Sequence, residues 1–407
     1  MTLEFPNLRH LRAFIDVADA GGISAAAHRV HLSQPAVTQA ISGLERRFGA
    51  ALFTRGPGGM FPTAEGAVLL ARVRRMFGHL AEGAGRALRL AGRGEPRGET
   101  KPVADFHLRA TAAQLRALIA VRDAGSFSLA ARALGLAQPS VHRAARDLER
   151  LAGLTLFAPA RKGVDLTPAA EAFARAVKLA AAELGQGLDE LTRLAGADAT
   201  RIRVGSLPLS RSEILPAACD ALLREAAGVQ LRFTDAPFGE LLRSLRYGEL
   251  DLLVGALRDP PPAEDVVQEA LFDDRLAVMA GPGHPLARRT GLRLEDTLHY
   301  PWIAGPKDTP AGAYLYRSLR IGELAQSPVS VVTSSMVLVR GLLTRGPYLT
   351  LMSPRQAAVE VAQGLMQPLD LPLPGSARPI GLTMRAGWIP TPTQARFLDL
   401  LRAAAGA

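Results

Sequence analysis

The chain has 407 residues, 48% of them apolar, which is too long for one domain of about 150 residues and rich enough to bury several cores. No run nears the ~18 apolar residues of a membrane span, the first ten residues lack a signal-peptide pattern, and a lone Cys219 excludes a disulfide framework or cysteine zinc site and fits a reducing cytoplasm. The net charge of +10 is uneven, with 26 basic against 18 acidic residues in 1–200 (+8) and 22 against 20 in the remainder (+2), so the N-terminal half points to a polyanion partner.

That half contains a repeat. Leu11-Arg-Ala-Phe-Ile15 recurs as Leu115-Arg-Ala-Leu-Ile119, and a shift of 104 aligns residues 11–73 with 115–177, without a gap, at about 25 identities in 63 positions. In copy 1, Leu8, Leu11, Ile15 and Ala18 recur at helical spacing, and Gly21-Gly22 ends that helix. Ser24 is expected to cap a short Ala-rich helix ending near Val30. After a tight His31-Leu32 link, Ser33 caps a third helix, with Pro35 in its first turn where a missing N–H costs little. Val37, Ile41, Leu44 and Phe48 form its buried stripe, and the opposite face carries Pro35, Thr38, Gln39, Ser42 and Arg46. Leu52 to Gly59 reads as a strand entering a Gly-rich hairpin, or wing, and Thr63 caps a long helix.

Two helices joined by a tight turn, the second with a polar outward stripe, make a helix-turn-helix. An exposed Gln or Arg bonds adenine or guanine bidentately in the major groove, while hydroxyls and a wing arginine hold phosphates. On residues alone, a helical bundle with a merely solvated polar face stays open. The run from Ser33-Gln34-Pro35-Ala36-Val37-Thr38 to Leu44-Glu45, followed by Leu52-Phe53-Thr54-Arg55, resembles the winged helix-turn-helix of the LysR-type bacterial transcriptional regulators. The resemblance covers nearly the whole chain, and the extra copy is the departure from the family's single domain.

Copy 2 has Ala137 for Ser33, His142 for Thr38 and Pro159 for Arg55. Its outward stripe is the more basic, with Gln138, Ser140, His142, Arg143, Arg146 and Arg150, and its wing offers Arg161 and Lys162. Both copies are expected to bind double-stranded DNA, copy 1 through Ser33, Gln34, Pro35, Thr38, Gln39, Ser42, Arg46 and Arg55. The alternative makes copy 2 a packing module. His28 and His31 have metal-ligand spacing but no Cys or acidic neighbour, so no metal and no cofactor is expected.

Leu70, Val73, Phe77, Leu80, Ala84 and Leu88 follow Thr63 near a heptad rhythm, and Phe173, Val177, Ala180, Leu184, Leu188 and Leu191 follow Thr167-Pro168. Such stripes must be buried, within the chain or between chains. The resemblance implies pairing between chains, hence a dimer or tetramer through linker helices and effector domains. Residues 92–102 read as a flexible hydrophilic linker.

From Thr200, short strands alternate with helices, which implies mostly parallel sheets. Strands are expected at 201–205, 229–234, 250–255, 276–280, 302–304, 329–333, 348–352 and 380–384. Helices are expected at 214–225, 238–247, 311–321, 336–343 and 393–404. The layout resembles the family's two-lobed effector domain of the periplasmic-binding-protein type. A ligand in the cleft would meet Ser206, Leu207, Pro208, Lys307, Thr309, Thr333, Ser334 and Ser335, where helix N-termini favour an anionic or sugar-like molecule. Simple helix capping by these hydroxyls stays open.

The expected organisation is a winged domain at 1–66, linker helix at 67–91, flexible linker at 92–106, second winged domain at 107–170, linker helix at 171–198 and effector domain at 199–407. Lobe 1 would take about 199–272 and 375–407, and lobe 2 about 273–374. No nucleophile elbow, phosphate loop or Ser/His/Asp set is present, and His284 between Gly283 and Pro285 reads as a turn residue. The chain therefore reads as a cytoplasmic, effector-controlled transcription factor with no membrane partner; the resemblance adds RNA polymerase as a partner. The competing function is an architectural DNA-binding protein whose C-terminal half only oligomerises.

Overall fold

A computed structural model describes residues 5–29, 32–57, 59–92, 102–161, 163–324 and 326–406. The His31 link, Lys162 and most of the expected flexible linker lie outside the described residues. The chain forms two compact units; the first holds the residues up to Arg201 with the short stretches 228–230 and 246–249.

In the first unit, α1 (Leu8–Ala20), α2 (Ile23–Arg29) and α3 (Gln34–Phe48) precede a hairpin of β1 (Phe53–Gly56) and β2 (Gly59–Pro62), then α4 (Ala64–Ala91). After the single turn α5 (Phe106–Arg109), the same order returns as α6 (Ala112–Ala124), α7 (Phe127–Leu134), α8 (Gln138–Ala152), β3 (Phe157–Ala160), β4 (Gly163–Leu166) and α9 (Pro168–Leu194). Helix α1 buries Leu8, Leu11, Phe14 and Val17, and the Phe14 ring meets Phe53 edge-on at 5.3 Å. Ile15 and Ala18 only flank this core, because the apolar arc is centred on Phe14. Ser24 does not cap α2: the helix begins at Ile23, and the Gly22 carbonyl accepts its first bond, from Ala26. The counterpart of Gly22 is Ser126, which does cap α7 through the Leu129 amide at 3.1 Å.

The two long helices pair with each other inside the chain, so their apolar stripes are buried within it. Leu69, Val73, Met76, Leu80 and Ala84 of α4 are buried, as are Phe173, Val177, Ala180 and Leu184 of α9. Their close approach needs small residues, since a Cβ on Gly83 would lie 2.1 Å from that of Ala176. Gly187 packs in turn on the Arg72 stem, so the helices run antiparallel. Leu188, expected in the stripe, is 48% exposed, being rotated off the face that carries Leu184 and Leu191.

The second unit builds two five-stranded sheets. Its first strands and helices are β5 (Arg201–Ser206), α10 (Ile214–Glu225), β6 (Gln230–Thr234), α11 (Phe238–Arg246), β7 (Leu252–Ala256) and β8 (Val266–Asp274). The chain then runs through β9 (Ala277–Ala280), α12 (Leu294–Thr297), β10 (Trp302–Ala304), α13 (Pro310–Ala313), β11 (Val329–Val332), α14 (Met336–Leu343), β12 (Leu349–Met352), α15 (Ala358–Ala362) and β13 (Gln367–Pro368). It returns through β14 (Arg378–Arg385) and ends in α16 (Pro392–Gly406), which packs on α10 with Arg396 on Glu225 at 2.6 Å. The sheet orders are β6-β5-β7-β14-β8 and β11-β10-β12-β9-β13.

Both sheets are mixed rather than mostly parallel, because β14 runs antiparallel to β7 and β8, and β9 antiparallel to β12 and β13. Strand β8 went unseen in the sequence because a register shift at Ile380/Gly381 breaks its alternation. The helix expected over 311–321 also breaks: α13 stops at Ala313, a wider turn follows to Ser318, and Arg320 adopts a positive φ of 52°.

Candidate nucleic-acid interface

Each third helix is held by a lock written in the same residues in both copies. The Leu52 amide donates to Glu45 Oε1 at 3.0 Å, and the Leu156 amide donates to Glu149 Oε1 at 2.7 Å. The glutamate thus leaves α3 or α8 and fixes the first wing strand against it. The wing's other strand docks on the turn after the first helix: Met60 donates to the Gly21 carbonyl, and Val164 to that of Gly125, each at 2.9 Å. A Cβ on Gly59 or Gly163 would lie 2.1 or 2.2 Å from that same oxygen, and both glycines have positive φ. Thr63 and Thr167 close the lock by donating to the carbonyls of Ala51 and Thr155 while capping α4 and α9.

With one side so fixed, the opposite side of each helix is free. Ser33, Gln34, Pro35, Thr38, Gln39, Ser42 and Arg46 are all exposed, as is Arg55 in the wing. Val37, Ile41 and Leu44 are buried beneath them, and Phe48 is half-buried. Ser33 caps α3 through the Ala36 amide at 3.4 Å, and the Thr38 hydroxyl donates back to the Gln34 carbonyl at 3.0 Å. In copy 2, Gln138, Ser140, His142, Arg143, Arg146, Arg150 and Arg161 are exposed. Gln138, His142, Arg143, Arg146 and Arg150 line one open concavity along α8. Arg146 pairs with Glu149 at 2.5 Å and Arg150 with Asp147, while the His142 ring packs edge-on to Phe127 at 4.8 Å. Ala137 gives α8 no side-chain cap. Lys162 lies outside the described residues.

In the second unit, three of the eight expected effector residues hold backbone amides with their hydroxyls. Ser206 is buried, donates its hydroxyl to Asp235 and accepts from Arg211 Nε at 3.1 Å. Leu207 and Pro208 lead into a tight 3₁₀ turn, Pro208–Arg211. Thr309 Oγ1 accepts from the Gly312 amide at 3.1 Å, Thr333 Oγ1 from Ser335 at 3.1 Å, and Ser335 Oγ from Leu338 at 3.4 Å. Ser334 is exposed, and the Lys307 ammonium lies 5.0 Å over the Tyr316 ring.

The charges that strand and helix spacing did not single out lie where the chain passes between the two sheets. Arg378, at the start of β14, pairs with Asp274, at the end of β8, at 3.2 Å, and Ser353 donates to that carboxylate at 2.6 Å. Arg378 Nε and Nη1 are buried and, among the described residues, have no hydrogen-bond partner. Burial pushes the Arg378 guanidinium down from its ordinary value, Asp274 opposes this, and the neighbouring Arg258 adds to the depression. Burial raises the Asp274 carboxyl despite Ser353 and the arginines beside it. Arg258 stacks on Phe238 at 4.4 Å. Only a fold that brings residues 104 positions apart together exposes this group to view.

Among the described residues, no three His, Cys, Asp or Glu side chains are grouped to hold a metal, and no helix is long and apolar enough to cross a membrane. His284 sits in a turn, its Nδ1 accepting from the Leu286 amide at 3.0 Å.

Comparison with known proteins agrees with this arrangement. The family model described as bacterial regulatory helix-turn-helix protein, lysR family, matches residues 8–67 and again 112–171. The LysR substrate binding domain model matches residues 195–406. The chain is 34% identical over 403 residues to the HTH-type transcriptional regulator GalR of Pseudomonas putida, covering 98% of each. It is 28% identical to the regulator PcaQ of Agrobacterium fabrum over 72% of this chain and 94% of that one. A full-length OxyR variant from Pseudomonas aeruginosa shares the fold at TM-score 0.51 and 22% identity, over 72% of this chain and 93% of that one.

Proposed function

We propose a working arrangement for this chain, which belongs to the LysR family of transcriptional regulators: two winged domains read one stretch of DNA and an anion-binding effector domain sets their grip. Members of the family are DNA-binding regulators rather than enzymes. The duplication, the part played by each winged copy and the two-lobed, periplasmic-binding-protein-like nature of the effector domain are our reading. The observation that carries it is the pair of identical wing locks, each leaving a polar helix face exposed. Ser33, Gln34, Pro35, Thr38, Gln39, Ser42, Arg46 and Arg55 serve one half-site, and Gln138, Ser140, His142, Arg143, Arg146, Arg161 and Lys162 the other. Self-association, a family habit, then falls to the effector domains, because the linker helices are already paired.

The effector is an anion. Arg378 has buried N–H groups without partners among the described residues, and an anionic oxygen would accept from one of them with Arg258 alongside. Ser206, Leu207, Pro208, Lys307, Thr309 and the 333–335 turn would frame the same cleft. Footprinting tests the first part: protection should span two half-sites, and Arg143→Glu with Arg146→Glu should shorten it at one end. An unchanged footprint would remove copy 2 from the DNA. Thermal shift with small organic acids and neutral sugars tests the second. Acids should raise the Tm of the wild type but not of Arg378→Gln, and stabilisation by sugars alone would refute the anion site.

A further inference from the structure

The seam between α4 and α9 has a local two-fold. Positions 104 apart are counterparts, so the contact of Gly83 with Ala176 maps onto that of Gly187 with Arg72. His79 and Glu183 are each other's counterparts and meet at 3.4 Å, on the axis. The charges break this symmetry. Arg72, 5% exposed in its side chain, donates to Glu183 at 3.0 Å and to Glu190 at 2.6 Å, and Arg75 also reaches Glu183 at 3.0 Å. The counterparts of Glu183 and Glu190 are His79 and Arg86, and that of Arg72 is Ala176.

Two copies of α4 in this geometry would set the buried Arg72 against a histidine and an arginine. Two copies of α9 would set Glu183 against Glu183 without a guanidinium. Either strands a buried charge, and a stranded buried charge is far costlier than a paired one. The seam is therefore written for one α4 and one α9, and a single chain holds both.

The heads it joins are unlike. They share Gln34/Gln138 and Arg46/Arg150 but differ at Thr38/His142, Gln39/Arg143, Ser42/Arg146 and, in the wing, Arg55/Pro159. We infer that this pair, closed within one chain, recognises duplex DNA whose two half-sites differ and stand in fixed order, where like heads would read a palindrome. Gln39 suits adenine and Arg143 suits guanine, so one half-site is adenine-bearing and the other guanine-bearing. The inference rests on both copies reaching DNA.

The test is selection of duplexes from a randomised pool by the purified full-length chain. A non-palindromic consensus is expected. Replacing its guanine half by an inverted copy of the adenine half should weaken binding about tenfold or more, as one or two wrong base pairs do. The variant His142→Thr, Arg143→Gln, Arg146→Ser changes only exposed residues and should turn the preference to that inverted repeat. A palindromic consensus from the wild type would overturn the inference but leave DNA reading intact. Enrichment of no duplex at all would overturn the reading of both heads as DNA-binding.

Discussion

Glu183→Gln removes the charge on which the seam turns while keeping the side chain's shape. Burial alone would raise the Glu183 carboxyl, yet hydrogen bonds from His79, Arg75 and Arg72 together hold it at about 2, against an ordinary 4.5. At 1.36 kcal/mol per unit, that depression is worth about 3 kcal/mol of stability to the ionised form. The group's folded value is lowered, so the contribution is complete above 4.5 and disappears as pH falls toward 2. The variant should therefore lose about 3 kcal/mol at pH 7, roughly a hundredfold in hydrogen-exchange protection of the α4 and α9 amides. Arg72 keeps Glu190, so the loss should be local weakening rather than collapse. The difference between wild type and variant should shrink below pH 4 and vanish near pH 2. A loss under about tenfold at pH 7, or a gap that persists at pH 2, would refute the role given to this carboxylate.

Ala137 already has the backbone of Ser33, φ −69° and ψ 138° against −71° and 150°. Ala137→Ser should then supply the missing cap and add about 0.5–1 kcal/mol, and Ser33→Ala should cost about as much in chemical unfolding. Gly59→Ala places a Cβ against the Gly21 carbonyl, so protease should cut the first wing faster while the second wing's cleavage rate stays the same. Arg55→Ala should weaken every duplex and lower the slope of log K against log salt by about 0.9, measured by titration at several salt concentrations. Gln34→Ala should instead reduce the gap between specific and random duplexes, and an equal loss on both would rule out base contact there.

What was legible followed local chemistry. The caps at Ser33 and Thr63, the buried stripe of α3 and the Gly-rich wing are set by neighbours within a few residues, so spacing alone located them, although the same reasoning failed for Ser24. The seam was legible only by half. Its apolar rhythm announced burial, but whether the partner helix lay in the same chain depended on Arg72 meeting Glu183 and Glu190, more than a hundred positions away. Strand β8 failed for another reason: its bulge breaks the alternation by which a strand is recognised. Of the effector residues chosen from strand ends, Thr309, Thr333 and Ser335 accept from backbone amides, since hydroxyls that could bind a ligand also cap helices. Arg378 and Asp274 gave no such local signal; only the paired strands bring them together.

The two copies also separate what the fold demands from what it leaves open. At Gly21/Gly125, Glu45/Glu149, Gly59/Gly163 and Thr63/Thr167 the residues agree: the glycines have positive φ, the glutamates accept from backbone amides and the threonines donate to backbone carbonyls. At Thr38/His142, Gln39/Arg143 and Ser42/Arg146 they differ, and all six side chains are exposed. Substitution there costs the fold little, so it can alter which bases are read without touching the wing lock. Transplanting the three outward residues of α3 onto α8 should accordingly change the preferred duplex and leave thermal stability within about 1 kcal/mol of the wild type, with the loss of His142's packing on Phe127 as the main cost. A large destabilisation would mean that the exposed face is held by the fold after all, and the separation of lock from reader would fail.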